Sequence, residues 1–374
     1  MIYLDHNATT PLAPEALEAM TAALRELPGN PSSTHAAGRA AREAVEQARA
    51  EVAALIGASP EEIVFTSGGT EANDLAIRGT RRARGRTHAV SSPLEHPSVL
   101  GPLREGPVSW LPVGAQGELD PGALPPLLQA ETALLALAVA NHELGNVTDV
   151  RAFAEIARAA GVAVHADAVQ AAGKLPLDVA ALPVDTLSLS AHKLHGPKGV
   201  GALFVRRGAA LEPVLRGGHQ ERERRAGTEN VAGIVGMARA LELALTGWEA
   251  QAADIAARRD RLVAALAAAI PGLVVNGAGA TRLPNNLSIA VPGVDSEQLL
   301  VRLDLEGVAV SAGSACASGA MEISHVVEAI GLGPTLSASV LRLSLGRATD
   351  DRAATRVAEL LPRLVQEMRP NYSC

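Results

Sequence analysis

A lysine that follows a strand-like run, a carboxylate that ends an earlier one, and a cysteine among glycine, serine and alanine are the residues here equipped for covalent chemistry. Only three of the chain's 33 basic side chains are lysines, namely Lys174, Lys193 and Lys198; the rest are arginines. Arginine stays protonated, whereas a lysine amine can lose its proton and condense with a carbonyl to a Schiff base. Lys193 stands in Ser190-Ala191-His192-Lys193, directly after the strand-like Thr186–Leu189. That is the place for an amine carrying a carbonyl cofactor. Lys198, in Gly196-Pro197-Lys198-Gly199, reads as a turn residue that stabilises its loop electrostatically, and Lys174, before Leu175-Pro176, as a solvated surface residue.

Two further groups give the amine a context. Asp167 ends the apolar run Val162–Ala166, 26 residues before Lys193, and ligands of open α/β sheets bind beyond the carboxyl ends of strands. A carboxylate buried there needs a cationic partner, which the protonated pyridine nitrogen of pyridoxal phosphate would supply. Gln170, one turn on, can reach the phenolic oxygen of the same cofactor. Ser67-Gly68-Gly69-Thr70-Glu71 follows a strand and opens a helix running to about Arg78, so backbone amides with a helix dipole behind them can hold a phosphate. Ser190 and His192 are donors suited to the same anion. Singly, each has a plain structural reading: a glycine turn with a Thr70 N-cap, or a strand-end Asp capping the next helix. In this order they specify a cofactor site.

The elements that must position these groups alternate between helix and strand from about residue 15 to 210, which predicts a mostly parallel sheet covered by helices. Ala36–Leu55 reads as an amphipathic helix. Glu62–Thr66, Ala133–Ala140, Val162–His165 and Thr186–Leu189 read as strands, with Gly201–Val205 antiparallel or at an edge. Ala232–Ile270 is helix-forming with a break at Thr246-Gly247, and connects to a smaller C-terminal domain. There Asn286–Val291 and Leu341–Leu345 are strand-like, and Arg352–Met368 is a terminal helix. The expected division is a large domain over 15–250 and a small one built from 1–14 and 251–374.

A net charge of −7 argues against a nucleic-acid surface as the main partner. The apolar stretch Thr132–Ala140 is too short to span a bilayer. The N-terminal residues lack the basic and apolar regions of a signal peptide, and Cys316 and Cys374 make no disulfide framework. The expectation is a cytoplasmic enzyme with no membrane partner and no metal.

Several ordered motifs carry a resemblance. Asn7-Ala8-Thr9-Thr10-Pro11, Gly29-Asn30-Pro31-Ser32-Ser33, Thr66–Glu71, Glu95-His96, His165–Gln170, Ser190–Lys193 and Arg225-Ala226-Gly227-Thr228 resemble the class V aminotransferase type of fold-type I pyridoxal-phosphate enzymes. Ser311–Cys316 and Leu341–Arg347 narrow this to the cysteine desulfurases of the NifS/IscS type, and the match runs from Ile2 to the final helix.

The resemblance implies an α/β fold with a smaller α+β C-terminal domain. It implies pyridoxal phosphate on Lys193, its ring nitrogen paired with Asp167, and its phosphate held by Gly69, Thr70, Ser190 and His192. Thr228 would complete the phosphate site of the neighbouring subunit of a homodimer. His96 would stack on the ring and help move protons; Arg342 would clamp the substrate carboxylate, with Asn30 also on the substrate. Cys316, on a loop free of apolar periodicity, would take sulfur from L-cysteine as a persulfide, leaving alanine. The sulfur would pass to a sulfur carrier or an iron–sulfur scaffold. Cys374 reads as incidental.

Two departures stand out. His142 occupies the position of a usual asparagine on the phenolic oxygen, which adds a titratable group and predicts a shifted pH profile. The chain also stops soon after its terminal helix, which leaves the sulfur acceptor open. Selenocysteine lyase or another class V enzyme remains the alternative, and intact Lys193, Asp167, His96, Cys316 and Arg342 argue against a non-catalytic protein.

Overall fold

The computed structural model describes residues 1–312 and 323–369, with the backbone pairing of 316–317 and 320–321 between them; the Cys316 side chain and Cys374 lie outside the described residues. A short strand β1 (Ile2–Tyr3) precedes helices α1 (Pro14–Glu26) and α2 (Ala36–Leu55). The second has the ends its periodicity predicts. Ala41, Val45, Ala48 and Val52 recur every three or four residues and are buried, which is the pattern of a helix with one apolar face. His35 caps it, its Nδ1 accepting from the Gly38 amide at 3.2 Å.

β2 (Ile63–Thr66), β3 (His88–Ser91), β4 (Val108–Trp110), β5 (Thr132–Ala138), β6 (Ala163–Asp167), β7 (Thr186–Ser190) and β8 (Gly201–Val205) form one sheet in the order β2-β8-β7-β6-β5-β3-β4. The run from β4 to β7 is parallel. β8 is antiparallel to both neighbours and lies inside the sheet, with β2 at the edge. Strands covered on both faces read as unbroken apolar runs, and Ala133–Leu137 is fully buried. α3 (Gly69–Arg84) outlasts its predicted end. Arg81, Arg82 and Arg84 in its last turn suit the negative end of the dipole, and Gly85 closes it at φ 60°. α4 (Pro97–Leu103) packs on α3, and α5 (Val150–Ala159) packs on β5 and β6.

Between β8 and the next helix, Glu221, Arg222 and Glu223 adopt φ of 47°, 55° and 64°. Left-handed backbone costs a side-chain-bearing residue roughly 1–2 kcal/mol. The segment is held nonetheless, because the buried Glu221 carboxylate accepts from Arg49 Nη1 at 2.7 Å, Arg49 Nη2 at 2.9 Å and the Phe65 amide at 2.8 Å. Arg225 pairs with Glu71 at 2.7 Å in the first turn of α3. The two ion pairs thus fasten this segment to α2 and to the first turn of α3.

α6 (Val231–Leu245) and α7 (Trp248–Ala269) break at the predicted place, Gly247 turning the chain at φ 63°. Beyond them come β9 (Val274–Val275), β10 (Asn286–Ala290), α8 (Ser296–Leu305), β11 (Val308–Ala309) and β12 (Ser311–Ala312). The chain ends through β13 (Cys316–Ala317), β14 (Ala320–Met321), α9 (His325–Ala329), α10 (Pro334–Ser337), β15 (Val340–Ser344) and α11 (Asp351–Met368). A second, antiparallel sheet has the order β12-β15-β10-β9. One core joins α1, α2, α5 and α6 to the large sheet; another gathers Leu4 with Leu262, Leu287, Leu341 and Leu361. β1 pairs with β11, which carries the N-terminal residues to the second core. No single helix among the described residues is long and apolar enough to cross a membrane.

Candidate active site

The carboxyl ends of the parallel strands and the turn before α3 enclose a cavity of about 320 Å³. Gly69, Thr70 and Asn73 enter it from α3, His96 from the turn after β3 and His142 from the turn after β5. Asp167 and Gln170 come from the end of β6, and Ser190, His192 and Lys193 from the end of β7. Residues spread over 125 positions of sequence therefore meet at the switch from strand to helix.

Asp167 is 6% exposed, and no cationic side chain pairs with it among the described residues. Its Oδ1 accepts from the Val169 amide at 2.9 Å and its Oδ2 from Asn73 Nδ2 at 2.8 Å. Asn73 Oδ1 lies 3.0 Å from His165 Nε2, and His165 Nδ1 lies 2.9 Å from Thr186 Oγ1. Burial lowers the His165 pKa to about 4, so the ring is neutral. One proton order satisfies the chain: Thr186 donates to His165, His165 to Asn73, and Asn73 to the carboxylate. Sequence reading missed Asn73 and the inward role of His165; the position of Asn73, one turn after Thr70, is the signal that could have found it.

Lys193 Nζ donates to the carbonyls of Asn7 at 2.5 Å and Ala8 at 2.8 Å, with no carboxylate in contact among the described residues. Burial, then the Arg342 charge, lowers its pKa to about 8, so an appreciable neutral fraction exists near physiological pH. His192 is held down to about 4 by burial and by the nearby Lys193 and Lys198 charges, which makes it a neutral partner for an anion. α3 has Gly68 at its N-cap, with no side-chain cap hydrogen bond among the described residues. A Cβ at Gly69 would meet Val169 Cγ2 at 2.6 Å, so any larger residue there would have to displace Val169 from the cavity wall. An uncapped helix start, an unpaired buried carboxylate and a lysine amine around one cavity fit a cofactor with a phosphate, a basic ring nitrogen and a carbonyl carbon.

His96 caps α4 through Nδ1, which accepts from the Ser98 amide at 3.1 Å. Its ring is exposed at the cavity, yet the protein packed around it holds its pKa down to about 4, with the His142 charge adding to the burial. The His142 ring meets His96 edge-on at 5.1 Å, and its Nε2 lies 3.4 Å from Glu143 Oε1. Removing His142 therefore removes a group that lowers the pKa of His96. His142→Asn is expected to raise the His96 pKa and displace the pH–absorbance titration of the cofactor-loaded protein; curves superimposable on wild type would refute this coupling.

Three further expected residues do not line this cavity. Arg342, 9% exposed on β15, does not line the cavity. Its Nη2 donates to Asp5 Oδ1 at 3.0 Å and Ser311 Oγ at 3.1 Å, and its Nη1 to the His142 carbonyl at 3.1 Å. A substrate carboxylate must compete with Asp5 for this guanidinium. Asn30 is exposed in a turn, its Oδ1 accepting from the Ser32 amide at 2.8 Å, and is not brought to the cavity of its own chain. Thr228 is exposed beside Arg225 and Ser67, in a separate depression. The surface reading of Lys174 is wrong: its amine donates to Gln170 Oε1 at 2.8 Å and Asn7 Oδ1 at 3.4 Å inside the molecule. The turn faces inward because Gln170, four residues earlier, offers an acceptor that the sequence does not announce.

Residues 2–357 match the class-V aminotransferase family. The chain is 42% identical to the cysteine desulfurase IscS of Dictyoglomus turgidum, over 98% of this chain and 95% of that one. Among solved structures, a NifS-like protein superposes with a TM-score of 0.92 at 32% identity, covering 98% of this chain and 99% of the other. A structure described as SspA in complex with cysteine gives 0.81 at 32% identity, over 92% and 99%. The chain belongs to the class-V aminotransferase family and, within it, to the cysteine desulfurases.

Proposed function

We propose that this protein is a pyridoxal-phosphate-dependent cysteine desulfurase that converts L-cysteine to L-alanine and a persulfide on Cys316. The observation that carries the reading is the joint placement of Lys193, the unpaired Asp167 and the uncapped start of α3 around one cavity. The cysteine complex described for the similar SspA structure supports the substrate class. Bound here, pyridoxal phosphate supplies an electron sink for the electrons left at the substrate Cα.

Gly69, Thr70, Ser190 and His192 would hold the phosphate, Asp167 the ring nitrogen, and His96 the ring face. Lys193 Nζ, in its neutral form, accepts the Cα proton and later returns a proton to carbon. Arg342 receives the substrate carboxylate once Asp5 yields one donor. The Cys316 thiolate bonds to the substrate sulfur while the Cβ–S bond breaks with its electron pair going to carbon; the carbon gains a proton and leaves as alanine. The persulfide sulfur then passes to an acceptor of iron–sulfur cluster assembly or other sulfur trafficking. In a homodimer, Thr228 of each subunit would complete the other's phosphate site.

Incubation with L-cysteine is expected to add one sulfur atom to the intact mass, located on Cys316 by peptide mapping, and to release alanine. Cys316→Ala should remove both signals while retaining the cofactor absorbance. Alanine formation undiminished in that variant would overturn the assignment and favour a lyase or transaminase.

A further inference from the structure

Asn7 connects two amines. Its backbone oxygen accepts from Lys193 Nζ at 2.5 Å, and its side-chain oxygen accepts from Lys174 Nζ at 3.4 Å. Gln170 closes the arrangement, its Oε1 accepting from Lys174 at 2.8 Å and its Nε2 donating to the Asn7 carbonyl at 2.9 Å. Asn7 itself is fixed on its far side, where Nδ2 donates to Asn286 Oδ1 at 2.7 Å. Both lysines also line a second cavity, of about 50 Å³, large enough for water.

Among the described residues, every charged or titratable group lining this second cavity is basic. His6 faces it from the N-terminal segment, Lys193 and His195 from the residues after β7, and Arg347 from the residues after β15. Arg342 adds its charge from β15. Among the described residues no carboxylate forms an ion pair with either lysine; Asp5 and Asp167 act on Lys193 from a distance. Two ammonium ions in this setting repel each other with little water to screen them.

We propose that Lys174 is a charge-compensating amine for Lys193: held on the same asparagine, it releases a proton to the water-accessible cavity when Lys193 is protonated and regains one when Lys193 becomes neutral. The proposal deepens the reading of Lys193 as the amine that takes and returns the substrate proton. It makes Lys174 a positioning residue, since it touches Gln170 and Asn7 and acts on the reaction only through charge. Burial, followed by the Lys193 and Arg342 charges, lowers the Lys174 pKa to about 7, in the direction this requires. Lysine at 174 then has a chemical reason, because an arginine there could not give up its proton.

The scarcity of lysine makes the test direct. Full-length protein grown with ε-13C-lysine has three lysine signals, Lys198 serving as an exposed reference, and substitutions assign them. In the cofactor-free wild type, Lys174 should titrate near neutral pH. In Lys193→Ala its midpoint should rise by about one pH unit or more, and in Lys193→Arg, which keeps the charge, it should stay low. A wild-type Lys174 midpoint near its ordinary 10.5, or one that does not distinguish the two Lys193 variants, overturns the proposal. If either variant fails to fold, the wild-type midpoint still decides. None of these readouts involves turnover, so failure here is separate from failure of the persulfide experiment.

Discussion

Lys193→Ala is expected to lower alanine formation by about a thousandfold or more, the range lost when a positioned proton-transfer group is removed. The loss should appear in kcat at saturating L-cysteine, because Lys193 contributes no contact to the Arg342 region that would bind the substrate carboxylate. Lys193→Arg should be as inactive. Guanidinium keeps the positive charge but neither condenses with a carbonyl nor yields a base near neutral pH. The pair of variants separates chemistry from charge: recovery of even a tenth of the activity in the arginine variant would show that the charge alone mattered.

Asp167→Asn should weaken cofactor binding and activity by about 3 kcal/mol, roughly a hundredfold, as expected when one partner of a buried charge pair is removed. The substitution is nearly isosteric, but the hydrogen-bond order runs against it. Asn73 already presents its amide nitrogen to position 167 because its oxygen faces His165 Nε2. An asparagine at 167 can keep the Val169 amide through its oxygen, and its nitrogen then opposes the Asn73 nitrogen. Relieving this requires Asn73 to flip, and with it the His165 tautomer and the Thr186 hydroxyl. Absorbance titration of apo-protein with pyridoxal phosphate measures the change; an unaltered dissociation constant would remove Asp167 from its assigned role. Asn73→Ala, which leaves the carboxylate in place, should cost less.

How far these groups could be read from sequence depends on the range of the interaction that fixes them. The ends of α2 and the break at Gly247 were legible because periodicity, capping and left-handed glycine act within one helical turn. Lys193, Asp167 and the Gly68-Gly69 turn were legible because each sits at an element boundary that neighbouring residues declare. Asp5 on Arg342 was not, since 337 residues separate the partners and nothing local marks either end. Lys174 misled for a related reason: glycine and proline beside it signal a turn, and only the tertiary acceptors decide which way that turn faces. β3 and β4 also escaped the reading, as short segments beginning with His88 and ending with Trp110 have little apolar run to announce them.

The left-handed triplet at Glu221–Glu223 ties the setting of Thr228 to distant parts of the chain. Its backbone conformations are scarcely populated in a free chain, and the Arg49–Glu221 contact that holds them closes a span of 172 residues. The remaining hydrogen bonds come from β2, where the Phe65 amide donates to Glu221 and the Ile63 carbonyl accepts from Arg49, so the contact is complete only when α2 and β2 are together. The segment from Glu221 to Thr228 therefore depends on contacts distant in sequence to hold its shape. Its final shape couples three elements: Thr228 is held in its setting by a segment anchored to α2, β2 and the first turn of α3.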